Sequence, residues 1–211
     1  MSGAGDMENY SNNTSPLWNS FEIESVVVEE NVSSIGDYAF KGCSLTSAHL
    51  PESLLSIGKG AFTECHHLAS IAIPDNVNSI GDYAFELCCE LSSIAFSKSV
   101  ADIGWRAFAN CHKIQEVSIP KGVKTIKYGT FYGCIGLKSI VIPDNVVTIT
   151  EHAFYNCSNL EYVSLGSGLE AVHYFAFVNI KKVKKFFINS EYVLSYFKEI
   201  FYHVFFEEVE F

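Results

Sequence analysis

Apolar and polar positions in this chain follow a pattern that returns every 23 residues. The stretch SIGDYAFELCCELSSIAF from Ser79 is followed by DIGWRAFANCHKIQEVSIP from Asp102, and the two align position for position. Phe85 and Phe108, Cys88 and Cys111, Ile80 and Ile103, and Ile94 and Val117 are each 23 residues apart. The same step finds Phe62, Phe131, Phe154 and Phe177, and with them Cys65, Cys134 and Cys157. Phe40 and Cys43 precede these by 22 residues, because one residue is missing between Cys43 and Leu45. In the chain's own letters the unit is V-x-x-I-G-x-x-A-F-x-x-C-x-x-L-x-x-I-x-I-P.

A fixed period between 20 and 29 residues marks a leucine-rich solenoid, in which each unit buries its apolar face only against its neighbours. Pairs such as Ile71/Ile73, Ile94/Phe96 and Val117/Ile119 alternate as a strand with one face inward. Pro51, Pro74, Pro120 and Pro143 end that strand, since proline brings no N–H to a ladder. Val77 to Ile80 predicts a second short extended stretch, Gly36, Gly58, Gly81 and Gly104 a tight turn, and AFxxC a helical turn. The expected fold is an α/β solenoid: a parallel sheet on one face, with short helical turns and extended segments elsewhere. Nine strand slots at the ~4.8 Å spacing of paired strands make a rod of roughly 40 Å.

Both ends depart from the repeat, as terminal units do. Residues 1–16 are rich in Gly, Ser and Asn and predict a disordered tail. The solenoid spans 17–188, opening on a half-unit cap in which Trp18 takes the slot of Phe40 and Phe21 that of Cys43. Residues 189–211 predict a second cap. Tyr192, Tyr196, Ile200 and Val204 fall on one helical face. FEEVEF then supplies an edge strand, with Ile200, His203, Phe206, Val209 and Phe211 as inward positions.

The motif IGDYAFxxC followed by LxxIxIP resembles the BspA-like type of leucine-rich repeat, over roughly residues 18–188. Ala precedes the phenylalanine in every unit except at Thr130-Phe131. Members of that family are commonly surface-exposed proteins, several of them adhesins or binders of host protein. The resemblance therefore implies a ligand-binding solenoid without catalysis, adhesin-like or a surface antigen. The family shares no catalytic residues, so none carries over. It points to the cell surface, whereas the N-terminus lacks the basic start and apolar stretch of a secretory leader, which points to the cytoplasm.

Charge and motif content exclude other classes. With 24 acidic against 14 basic residues the net charge is −10, the wrong sign for nucleic-acid binding. No run of about 18 apolar residues predicts membrane insertion. No GxSxG, HExxH or P-loop is present, and no enzyme or cofactor is expected. The six in-register cysteines (43, 65, 88, 111, 134 and 157) lie 22 or 23 residues apart, which is not metal-ligand spacing, and read as stacked free thiols. Cys89 is out of register and expected outside. His66 and His112 stand two coils apart, too far to share a metal. The basic run Lys181, Lys182, Lys184 and Lys185 reads as a solvated face, with an anionic contact as the sharper alternative.

Positions alternating with the inward strand residues form the outer sheet face. Most are small and weakly polar through the first four coils (Ser47/His49, Ser70/Ala72, Ser93/Ala95), and the face is more featured later. Extended solenoid faces bind partners, and aromatic and charged side chains dominate such interfaces. Glu116, Tyr162, Lys185 and Phe187 are the candidate binding residues, toward a protein ligand and from a monomer. The competing reading is a structural spacer or degenerate family member with no dedicated ligand.

Overall fold

Nine coils wind in one direction, and every strand pairing is parallel. The structure, a computed structural model, describes residues 5–14, 16–181, 183–204 and 206–210. Strands are numbered along the chain. One ladder contains β2 (Ser25–Val27), β4 (Ser47–His49), β6 (Ser70–Ala72), β8 (Ser93–Ala95) and β10 (Glu116–Ser118). It continues through β12 (Ser139–Ile142), β14 (Tyr162–Leu165), β16 (Val183–Ile188) and β17 (Phe206–Glu210). A second ladder contains β1 (Gly5–Asp6), β3 (Val32–Ile35), β5 (Ser56–Ile57), β7 (Ser79–Ile80), β9 (Asp102–Ile103), β11 (Thr125–Ile126), β13 (Thr148–Ile149) and β15 (Ala171–Val172). Register follows the repeat: Ser25 faces Ser47 across the short unit, while Ser70 faces Ser93 and Val183 faces Phe206.

Between the ladders the phenylalanines stack. Ring centroids from Phe40 to Phe108 are 5.2 Å apart at each step, and the column continues through Phe131, Phe154 and Phe177. Trp18 extends it at 6.1 Å from Phe40 and donates its indole N–H to the Ala39 carbonyl at 2.8 Å. Beside this column lie the six thiols, all buried. Each does more than fill space. Cys88 Sγ donates to the carbonyl of Phe62, and Cys111, Cys134 and Cys157 do the same to Phe85, Phe108 and Phe131, all at 3.2 Å. Cys65 reaches Phe40 at 3.0 Å.

The AFxxC segment is not the expected helical turn, and among the described residues the coils from β2 to β16 contain no helix. The solenoid is therefore β rather than α/β. Each segment is a run of overlapping β-turns, with N–H to C=O bonds from Ala84 to Gly81, Glu86 to Tyr83 and Cys88 to Phe85. Left-handed residues break the helical sense two positions before and two after the phenylalanine: Tyr83 (φ 60°) and Leu87 (φ 63°), Arg106 (53°) and Asn110 (59°). In return, alternate N–H groups point at the next coil. Tyr83, Phe85 and Leu87 donate to the carbonyls of Trp105, Ala107 and Ala109 at 2.8–2.9 Å, making a third hydrogen-bonded face. The recurring glycines also serve differently from expectation. Gly104 is not left-handed, but a Cβ on it would lie 2.3 Å from the Asp82 nitrogen, so close approach of coils is what demands it.

The ends correct three further expectations. Residues 5–14, expected to be disordered, run along the first coil: Met7 N–H bonds the Ser34 carbonyl, Tyr10 N–H that of Asp37, and the Tyr10 ring meets Trp18 edge-on. The sheet edge supplies partners that composition does not reveal. Phe21 is 68% exposed, and Asn19, within a 3-10 helix at Leu17–Ser20, accepts the Cys43 thiol instead. The single helix expected after residue 189 is two, α1 (Glu191–Ser195) and α2 (Phe197–Ile200), broken at Tyr196. The break lets Phe197 and Phe201 turn onto Phe186 and Phe206 at 4.8–6.2 Å. Of the inward positions expected there, Ile200 is buried, His203 is exposed, and Phe206 and Val209 are half-buried. Phe211 lies outside the described residues, as does Lys182.

One junction is open in both ladders, whereas at β4 and β6 only the first ladder is unpaired and β5 and β7 stay bonded beside it. β8 and β10 are unpaired, and so are β9 and β11. Here Phe96 and Ser97 stand where the flanking coils carry Ile73-Pro74 and Ile119-Pro120. Phe96 sits edge-on to Phe108 at 5.5 Å, and buried Ser97 is drawn toward the preceding coil by a 3.1 Å bond to the Val77 carbonyl. On the other ladder Lys127 brings a Cβ where Gly58, Gly81 and Gly104 bring none, and the phenylalanine column widens to 5.8 Å between Phe108 and Phe131. The turn face stays bonded, and a 2.6 Å Lys127–Asp102 ion pair spans the gap.

Two outcomes follow from the columns. Phe108→Ala removes a ring from mid-column and costs about 3–5 kcal/mol in urea unfolding. The buried thiols give the second. Burial pushes Cys43 up to about 11 and Cys134 to about 12, and holds Cys111 and Cys157 well above the ordinary thiol value. Above an unfolded thiol pKa of about 8.5 the unfolded chain binds fewer protons than the fold, so stability falls as pH rises. The urea midpoint drops steadily from pH 8 to 10.5, and Cys134→Ala flattens that decline.

Candidate binding surface

The strand register sorts the outer sheet face into rows. Glu116, Ser139, Tyr162, Lys185 and Glu208 are successive partners in one row, and Ser118, Val141, Ser164, Phe187 and Glu210 in the next. Side chains on one face of a strand alternate, so the two rows lie side by side. Three of the four sequence-predicted residues therefore come together: Tyr162 and Lys185 are direct cross-strand neighbours, with Phe187 two residues along from Lys185. Glu116 does not join them. It lies two strands from Tyr162, roughly 10 Å away at the usual spacing.

Tyr162 is 42% exposed and Val141, beside it in the adjoining row, 60%. Lys185 is already engaged. Its Nζ lies 3.2 Å from Glu210 and 3.3 Å from Glu208, and 5.8 Å from the centre of the Phe187 ring. The bonds to Glu210 and Glu208 raise its pKa. Tyr162, Lys184, Lys185, Glu207 and Glu208 line a shallow groove of about 550 Å³. Lys184 pairs with Glu161 at 2.8 Å. Two members of the sequence's basic run are thus tied to glutamates.

A second surface was not foreseen. On the turn face Arg106 binds Glu86 through Nε and Nη2 at 2.9 and 2.6 Å, and its guanidinium lies 4.8 Å from the centre of the Tyr132 ring. Tyr132 stacks on Tyr155 at 5.2 Å, and His152 meets Tyr155 edge-on at 4.9 Å. Trp105, Tyr128 and Tyr174 stand 38–53% exposed in one column alongside. The signal was available in the variable positions of the unit, where the 23-residue step reads Asp82, Trp105, Tyr128, Glu151 and Tyr174.

Among the described residues no three His, Cys, Asp or Glu side chains gather as metal ligands, and no helix is long and apolar enough to cross a membrane. His66 bonds the Leu87 carbonyl through Nδ1 at 2.9 Å.

The profile of the BspA type leucine-rich repeat region matches residues 15–137 and 124–211, in six copies. The chain belongs to that family. Among solved structures the repeat is similar to a leucine-rich repeat protein of T. pallidum, with 28% identity and a TM-score of 0.74 over 87% of this chain and 86% of that one. It shares its fold with a leucine-rich cell surface protein of Faecalibacterium prausnitzii, at 24% identity and a TM-score of 0.60 over 87% of this chain and 64% of that one. A leucine-rich repeat protein of Bacteroides ovatus aligns at 20% identity and a TM-score of 0.51, over 89% of this chain and 66% of that one. No curated protein matches the chain.

Of the seven thiols of the repeat, Cys89 alone is not buried. Partial burial and the Glu90 carboxylate raise its pKa, so its reaction is slow but accessible. Maleimide labelling of native protein modifies one cysteine, at 89, and denaturation releases the remaining six.

Proposed function

We propose that the chain is a non-enzymatic protein-interaction module that binds a protein ligand through the outer sheet face. The carrying observation is the cross-strand placement of Tyr162 beside Lys185, with Phe187 and exposed Val141 in the adjoining row. An exposed ring beside a charged pair at the featured end of a sheet is the composition of interface anchors. Glu116 belongs to the same face as a separate, more distant contact. The module acts as a monomer, with residues 17–188 as its solenoid. Residues 189–211, with α1, α2 and β17, close its C-terminal end, as the half-unit at Trp18 closes the other. The T. pallidum and F. prausnitzii structures support the scaffold role, and the latter protein's cell-surface description supports an adhesin-like or surface-antigen setting. The small Ser and Ala side chains on the outer face of β6 and β8 favour a second reading, a spacer without a ligand of its own.

The two readings separate by substitution. Tyr162→Ala and Phe187→Ala, presented to matrix and cell extracts beside the native protein, lose a specific partner while keeping the native melting temperature. Recovery of the same proteins by native and substituted forms, or of none by either, counts for the spacer.

A further inference from the structure

The open junction between β8 and β10 has a shape and a charge that the rest of the solenoid lacks. Their facing edges have no partner strand, and a groove of about 830 Å³ lies between them. Its floor is apolar, from Phe96, Ile119, Pro120 and Pro143. Lys98 and Lys121 stand at its sides, both exposed, and no carboxylate lines it. That volume lies within the roughly 300–1,000 Å³ of sites that enclose small ligands or a few side chains.

The lysines are the informative part. They occupy one column of the repeat, which reads Glu52, Asp75, Lys98, Lys121 and Asp144 along the chain. The column changes sign in the two coils that flank the groove and changes back after them. Neither lysine forms an ion pair or hydrogen bond among the described residues, in a chain whose net charge is −10. Two like charges in adjacent coils repel, so nothing in the fold itself accounts for them. The same coil carries the Phe96-Ser97 departure that opens the junction. Enlarged floor, missing ladder and reversed charge thus coincide at one place.

We propose that this groove binds an extended acidic peptide segment, one apolar side chain seated on Phe96 and Pro120 and flanking carboxylates on Lys98 and Lys121. The proposal rests on the interaction-module reading and supplies a partner chemistry for it at a place separate from the Tyr162 row.

The test uses the full chain and fluorescence polarisation with a labelled nonapeptide, Leu-Phe at its centre and Asp or Glu on both sides. The acidic peptide binds, its lysine-substituted and Gly-Ser-centred counterparts do not, and the affinity falls as salt rises. Lys98→Asp with Lys121→Asp weakens binding about tenfold or more. An equal charge change at exposed Lys113 and Lys198 leaves it unchanged. Phe96→Ile with Ser97→Pro restores the Ile-Pro of the flanking coils, closes the groove and also loses the peptide. Equal binding of acidic and basic peptides, or full affinity in the Lys98/Lys121 variant, overturns the proposal. The Tyr162→Ala and Phe187→Ala result bears on the sheet face alone, so either reading can fail without the other.

Discussion

Every coil depends on its neighbour for the groups it cannot satisfy alone. The Phe85 carbonyl shows this most directly. It accepts the Cys88 N–H within its own turn and the Cys111 thiol from the next coil. A buried carbonyl with one lone pair filled has limited ways to fill the second, and a weak, small donor without charge suits a site wedged beside a stacked ring. The cysteine is therefore a hydrogen-bonding member of the column as well as an apolar one. The ring fixes how far apart two coils stand, and the thiol fixes their register. Two strand ladders and a ladder of turns then complete the backbone accounting.

Most of the architecture was legible because a repeat writes its contacts into the chain. A side chain 23 residues on is a spatial neighbour, so columns, strand register and buried cysteines could be read by counting. Local backbone geometry could not. Tyr83, Leu87 and Arg106 give no sign of left-handed conformation, which residues of their kind rarely adopt. Their cost is offset by bonds to the next coil, and helix-like spacing in AFxxC concealed it. Gly104 was legible as special but for the wrong reason, since its lack of a side chain serves the approach of a neighbouring backbone. Residues 5–14 were hidden by composition, because their partners are carbonyls on a sheet edge.

The candidate surfaces show the same division. Tyr162, Lys185 and Phe187 were readable because strand alternation and repeat step together place them, and the rows come out as counted. Their ion pairs were not, since Glu208 and Glu210 reach Lys185 only when β17 continues a ladder whose sequence signal has faded. The turn-face aromatics and the open junction lie in positions that the unit leaves variable. Those positions carry information only as departures from their own column, as at Phe96, Lys98, Lys121 and Lys127.

The break in both ladders has a mechanical corollary. Coils joined end to end bear any pull along the axis in series, so the same force passes through each interface. Between β8 and β10, and between β9 and β11, that force meets no strand ladder, and the coils are held by the continuous turns, the ring and thiol columns and the Lys127–Asp102 ion pair. Tension applied to the two ends would part the rod there before elsewhere, leaving two shorter solenoids hinged along the phenylalanine side.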